Sequence, residues 1–227
     1  IGQVTPAFFS AVQNDSAALR RYVLRITEGL ALITFPVALG LALVASDFVL
    51  VVLGAKWEGT IAPLRLLAAY AAVRSITALL PQVLQIIRDS RFEMWRMVVA
   101  AVVMPVCFYV GGQRWGTVGI ALAWMLVDPL FSFVLYRRVL SKIGLSFRAY
   151  AAALRPALSG TALMAAAVLA VRLFSGSEWS AGARLAAQVA AGAVAYAFAC
   201  FVFHRERFVA VRELLTAARR GSEGLSE

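Results

Sequence analysis

The stretch IAPLRLLAAYAAVRSITALLPQVLQII, residues 61–87, is long and apolar, yet it carries Arg74 near its middle. About 20 apolar residues suffice for a helix to cross the hydrocarbon core of a bilayer. An arginine at the centre of such a helix costs about 2.5 to 3.5 kcal/mol on insertion scales, so it persists where it meets a partner, water or a ligand. The stretch therefore predicts a membrane-spanning helix whose central arginine contacts a partner residue, water or a ligand.

The helical period places this arginine on a polar face. Consecutive residues of a helix are about 100° apart, so residues three or four positions apart lie on the same side. That side collects small and polar residues, namely Arg74, Ala78, Pro81 and Gln85, with Thr77 and Arg88 on its flanks. Of these, Arg74, Thr77 and Gln85 are candidate substrate-binding residues.

The rest of the chain is equally apolar. Of its 227 residues, 62% are hydrophobic and 15% are charged, against roughly 25% charged residues in an average soluble domain. Apolar runs of spanning length occur at 26–45, 62–87, 94–110, 118–136, 156–173 and 185–203. The sequence predicts an all-α, polytopic helical membrane protein with six transmembrane helices.

The charge of +10 follows this topology. Sixteen of the 22 lysines and arginines fall in alternate segments that include both ends, five fall in the segments between them, and Arg74 lies within a span. Cytoplasmic loops carry the excess of basic residues. Both ends are therefore predicted to be cytoplasmic, and the basic charge indicates membrane topology rather than binding to nucleic acid.

A second central charge is Asp128, in the span 118–136. One interpretation is that Asp128 and Arg74 form an ion pair that holds two helices together. The other is that both face a water-filled cavity, where Arg74 attracts an anionic group. Pairing and cavity exposure are compatible. Among the spans, Gln188 is expected to make an interhelical hydrogen bond.

Enzyme signatures are absent from the sequence. It has no GxxxxGK[ST], GxGxxG, HExxH or CxxC motif, and one histidine with two cysteines does not make a conventional zinc site. We expect no catalytic residue, metal or cofactor, and a protein that is not an enzyme.

Four regions organise the chain. Residues 1–25 suggest the end of a preceding span and a cytoplasmic elbow, and 26–138 the four-helix part of a transport lobe. Residues 139–203 suggest a basic connector and a further helix pair rich in Ala and Gly, which favours close packing. The tail 204–227 has the pattern of a basic amphipathic helix on the inner leaflet. The run FVLVVLG, too short to span, suggests an interfacial or re-entrant turn.

Several stretches together resemble one transporter family: TPAFFSAVQND (5–15), VLGAKWEGTIAPLRLLA (52–68), GTVGIALAW (116–124), KIGLSF (142–147) and RPAL (155–158). Their order and spacing resemble the Wzx-like polysaccharide transporters, the lipid-linked oligosaccharide flippases of the multidrug/oligosaccharidyl-lipid/polysaccharide exporter superfamily. The resemblance implies about fourteen spans in two lobes, with substrate between them and alternating access. This chain would hold the end of the eighth span and spans nine to fourteen, and so would not transport alone.

The resemblance also implies a function and partners. The expected substrate is a polyprenyl-diphosphate-linked oligosaccharide, moved from the cytoplasmic to the periplasmic face of the bacterial inner membrane for O-antigen, capsule or exopolysaccharide assembly. Membrane lipids and other polysaccharide assembly proteins are the further partners. The alternatives are a multidrug antiporter of the same superfamily and an integral-membrane polysaccharide polymerase or glycosyltransferase, which would be expected to have a large periplasmic loop.

Overall fold

The computed structural model describes residues 16–87, 89–176 and 178–203, and this part of the chain is helical with short turns and contains no strand. The α-helices, in chain order, are α1 (Ser16–Phe48), α2 (Ile61–Thr77), α3 (Leu80–Ile86), α4 (Ser90–Ile143), α5 (Phe147–Phe174) and α6 (Ala181–Phe203). The predicted fold class, a polytopic helical membrane protein, is confirmed. The predicted amphipathic tail, 204–227, and most of the predicted elbow, 1–25, lie outside the described residues.

The first helix is the centre of the bundle. It packs against α2 on one side and against α5 and α6 on another. A small apolar cluster joins three of these helices, in which Ala31, Leu32 and Phe35 of α1 meet Ala72 of α2 and Ala157 of α5. The helix continues through Pro36.

The short apolar run after α1 extends the helix. Val49–Leu53 forms a π-helical turn that carries α1 on to Gly54, where φ is +86°. A 3₁₀-helix, Ala55–Thr60, then leads directly into α2. A re-entrant turn was therefore the wrong interpretation of FVLVVLG, because the backbone stays helical until a glycine with positive φ ends it.

The apolar stretch at residues 61–87 is interrupted. Helix α2 ends at Thr77 and α3 begins at Leu80. Pro81 explains the break, since proline has no N–H with which to bond the carbonyl four residues earlier. One continuous helix over 61–87 was therefore wrong, although Ala55–Ile86 as a whole remains apolar enough to cross a membrane.

Helix α4 is a hairpin in which the chain reverses at Gly116. The backbone there has φ +58° and ψ −138°, far from helical values. The rings of Phe108 and Trp124 are in tilted contact with centroids 5.6 Å apart, whereas 16 residues of straight helix would separate them by about 24 Å. The two arms, 90–115 and 117–143, therefore run antiparallel.

The predicted basic connector is mostly helical. The second arm of α4 continues to Ile143, and α5 begins only four residues later. Gly144, with φ +64°, closes α4 in the left-handed conformation typical of helix ends. The side chain of Ser146 caps α5 by accepting from the backbone N–H of Ala149 at 3.2 Å. Basic residues at 137–142 thus lie on a rigid helix end.

The last two helices pack closely, as their small residues predicted. A Cβ on Gly160 would lie 2.9 Å from the Tyr196 ring, and one on Gly192 would lie 3.0 Å from Val168. Glycine at these positions lets α5 and α6 approach.

Five helices in the described residues are long and apolar enough to cross a membrane, counting α4 as one. The predicted count of six is not confirmed and stays a prediction. The difference lies in α4, whose 54 residues fold into two arms.

Candidate functional site

A charged cluster joins α2 to the second arm of α4. Tyr70 and Arg74 are one helical turn apart and so share a side of α2. The Tyr70 hydroxyl donates to Oδ2 of Asp128 at 2.8 Å, and Nη1 of Arg74 lies 3.6 Å from the same oxygen. The Ser132 hydroxyl lies 3.4 Å from it. The two central charges predicted from the sequence are therefore neighbours.

The members of this cluster differ in exposure. The Asp128 side chain is 13% exposed, whereas that of Arg74 is 50% exposed. A guanidinium has five N–H donors, and the contact with Asp128 engages Nη1 alone at a distance beyond a good hydrogen bond. Arg74 can therefore balance the carboxylate and still offer donors to an anion. Both interpretations of its role fit one geometry.

Aromatic rings fix the position of Tyr70. Its ring lies 5.7 Å from that of Trp124, which in turn packs on Phe108 of the other arm. These tilted ring contacts hold both groups in place. The tyrosine, which the sequence analysis did not single out, ties Asp128 to α2. Its position one turn before Arg74 on an apolar helix was the available signal.

The predicted polar face is only partly present. Arg74, Ala78 and Gln85 are exposed, as a common face requires, although Gln85 lies on α3 beyond the break. Thr77 is 2% exposed, and its hydroxyl donates to the backbone carbonyl of Arg74 at 2.8 Å. Thr77, predicted on the flank of this polar face, is therefore buried, and its role as a substrate-binding residue stays a prediction. Arg88 lies outside the described residues.

Comparisons with known proteins agree with this architecture. Residues 1–62 match the model of a family described as "Polysaccharide biosynthesis protein". Over 149 residues, 63% of the chain, it is 29% identical to the lipopolysaccharide biosynthesis protein WzxC of Escherichia coli. Over 132 residues, 56% of the chain, it is 27% identical to an uncharacterized membrane protein in the cps region of Klebsiella pneumoniae.

Over part of its length the chain is similar to Wzx-like polysaccharide biosynthesis membrane proteins. The matched part covers 29% of the Escherichia coli protein and 26% of the Klebsiella protein, so the chain spans less than a third of these relatives. No solved structure matches it. The family match at 1–62 ends before Arg74, so the charged cluster lies outside that matched segment.

Two further charged contacts in this Wzx-like chain were not predicted. Asp47, near the end of α1, is 5% exposed and accepts from Nε of Arg184 at 2.9 Å. Gln188, one turn further along α6, donates to the other Asp47 oxygen at 3.0 Å. The interhelical hydrogen bond expected of Gln188 is confirmed. Asp47 was missed because it follows an apolar run and resembled the start of a loop.

A third contact lies where the two arms of α4 have their free ends. Asp89, just before the first arm, contacts Nε of Arg138 and Nζ of Lys142 at 2.8 Å each. Hydrogen bonds from Arg138 and Lys142 lower the pKa of Asp89 to about 2. Close by, Glu93 is 5% exposed and forms an ion pair with Arg96. Asp89 therefore joins the two free ends of the hairpin by charge, whereas the Glu93–Arg96 pair lies within the first arm.

Proposed function

We propose that this chain is part of a flippase. The protein would move a polyprenyl-diphosphate-linked oligosaccharide from the cytoplasmic to the periplasmic face of the bacterial inner membrane during surface polysaccharide assembly. The similarity to polysaccharide biosynthesis proteins supports this proposal over a multidrug antiporter. The chain spans less than a third of its relatives, so the activity proposed belongs to the whole protein.

The observation that carries the proposal is the half-exposed guanidinium of Arg74. It lies near the middle of an apolar segment, Ala55–Ile86. The ion pair with Asp128 offsets part of the cost of a charge at that depth. An arginine kept only for pairing would be expected to be enclosed by protein together with its carboxylate, whereas the Arg74 side chain is 50% exposed. A cation presented in this way can attract the diphosphate of a lipid-linked sugar.

The proposed orientation follows the distribution of charge. The end of the hairpin that carries Arg137, Arg138 and Lys142 would face the cytoplasm, as would both ends of the chain. The Gly116 turn and the Asp47–Arg184 contact would face the periplasm. The function proposed is transport by movement of helices, with no covalent step and no cofactor, and with membrane lipids and other assembly proteins as the partners.

The test uses the full-length protein in its own bacterium. Replacing Arg74→Ala should abolish surface polysaccharide while the protein stays in the membrane, and Arg74→Lys should retain part of the activity because it keeps the charge. Arg114→Ala is the matched control, since Arg114 is an exposed arginine near the turn of the hairpin. Surface polysaccharide is measured by gel and the protein by immunoblot. Normal polysaccharide from the Arg74→Ala variant would contradict the proposal.

A further inference from the structure

A second polar site lies at the free ends of the α4 hairpin, away from Arg74. An open pocket of about 890 Å³ lies between the end of α4 and the start of α5. Three of its lining residues are basic, Arg137, Arg138 and Lys142, and three are phenylalanines, Phe92, Phe133 and Phe147. We call it the basic pocket.

The charge of the basic pocket is not fully balanced by its neighbour. Asp89 contacts two of the three cations, Arg138 and Lys142. Asp89 and the three basic residues together carry a net charge of two positive units. The paired cations also stay open to solvent, because the side chains of Arg138 and Lys142 are 45% and 42% exposed. An ammonium has three donors and a guanidinium five, so both retain donors beyond those that Asp89 accepts.

The pocket holds its cations in a fixed arrangement. The Arg138 guanidinium lies over the Phe92 ring, 4.9 Å from its centroid, which restrains the side chain through a cation–π contact. The carboxylate of Asp89 fixes the same guanidinium from another side at 2.8 Å. The site is therefore built before any ligand arrives, which lowers the entropy that binding would cost.

On the second arm of α4, two apolar lining residues lie deeper than the basic ones, whereas Phe92 lies beside Arg138 at the basic end. Phe133 and Val134 precede Arg137 and Arg138 by about one helical turn and Lys142 by about two, so the apolar part lies roughly 6 to 12 Å nearer the bilayer centre. A membrane phospholipid has the same order, with acyl chains inside and a phosphate at the surface. Inorganic phosphate has no apolar group that could contact Phe133 and Val134.

We infer that the basic pocket binds the phosphate of an anionic phospholipid of the cytoplasmic leaflet, with Arg137, Arg138 and Lys142 on the headgroup and Phe133 and Val134 on the first acyl carbons. Basic pockets between membrane helices on the cytoplasmic side are suited to such headgroups. The site is separate from the Arg74 cluster and does not depend on which oligosaccharide the protein moves.

Native mass spectrometry of the purified full-length protein in detergent tests this inference, with dioleoyl-phosphatidylglycerol as the probe. The variant Arg137→Ala/Lys142→Ala should bind it about 30-fold more weakly, since each basic residue near an anionic headgroup contributes about a factor of five. The matched control is Arg148→Ala/Arg155→Ala, which removes two exposed arginines of α5 outside the pocket. That control should change binding by less than about threefold.

The remaining arms distinguish the pocket from other sources of binding. Arg137→Ala alone leaves both Asp89 contacts intact and should weaken binding about fivefold. Unchanged binding by this variant, or equal weakening by the two double variants, would overturn the inference. Inorganic phosphate should not displace the lipid. Displacement by inorganic phosphate would show that the pocket binds free phosphate and would overturn the inference. A pocket variant that loses binding of polyprenyl diphosphate but not of phosphatidylglycerol would show that the pocket binds the substrate, and would overturn it too.

Discussion

Arg74 and Asp128 meet across 3.6 Å between α2 and the second arm of α4, and Arg74 remains half-exposed while Asp128 is nearly enclosed. The carboxylate is the better-held partner, because Tyr70 donates to it at 2.8 Å and Ser132 lies 3.4 Å away. Asp128 is therefore held in place by its neighbours, whereas Arg74 has N–H donors that can bind an anionic group.

The asymmetry predicts the behaviour of a double variant. Replacing both residues by leucine removes the charge pair without leaving an unpaired charge, which is often neutral or stabilising for a buried pair. If Arg74 binds an anionic substrate, the double variant should be well expressed and inactive. Surface polysaccharide and membrane protein level are the two measurements. Restored polysaccharide would show that Arg74 serves only to pair with Asp128.

Tyr70→Phe should destabilise the junction between α2 and α4. The substitution keeps the ring that packs on Trp124 and removes the hydroxyl that donates to Asp128. A hydrogen bond to a charged group contributes about 1.5 to 3 kcal/mol, so the melting temperature in detergent should fall by several degrees. Tyr109→Phe is the control, since Tyr109 is 69% exposed. An equal melting temperature for both variants would contradict this role of Tyr70.

Gly119→Ala should disrupt the hairpin. A Cβ at this position would lie 1.9 Å from the Gly111 carbonyl oxygen, so the arms would have to separate. Overpacking of this kind costs about 1 to 3 kcal/mol or more, and we expect poor insertion or a lower melting temperature. At Gly112, in the same hairpin, an added Cβ meets only the Ile120 side chain, 3.8 Å away. Gly112→Ala should therefore be tolerated, and matching losses in both variants would argue against close contact of the arms.

Asp89 should make stability depend on acid pH. Arg138 and Lys142 lower its folded-state pKa from 3.8 to about 2, so the unfolded chain binds the proton more readily. The stabilisation is fully present above about pH 4 and is lost as the pH falls toward 2. The difference in melting temperature between the wild-type protein and Asp89→Asn should therefore be largest at pH 6, smaller at pH 3, and close to zero only as the pH falls to about 2. Glu58→Gln, at an exposed position in the 3₁₀-helix, is the control. A difference that stays constant with pH would contradict the assigned role of Asp89.

The candidate site could be predicted in part. Arg74 and Asp128 stand out because a charge within a run of apolar residues is costly in a membrane and needs a reason. Tyr70 does not stand out, since tyrosine is common in such helices and its partner lies 58 positions away in the chain. The helical period places Thr77 on the flank of the polar face but does not show that it is buried, with its hydroxyl donating to the Arg74 carbonyl.

The sequence by itself determined that the protein is a helical membrane protein, because apolar runs about 20 residues long have no other stable state in a bilayer. It also indicated close packing of the last two helices, since glycine and alanine let helix backbones approach, but it did not indicate the contact of Gly111 with Gly119. Only the tertiary structure decided how the central charges are used. Whether Arg74 meets Asp128, and how much of it remains exposed, depends on the reversal at Gly116 that brings α4 against α2. The fold therefore decides both that Arg74 contacts Asp128 and that half of its side chain stays exposed.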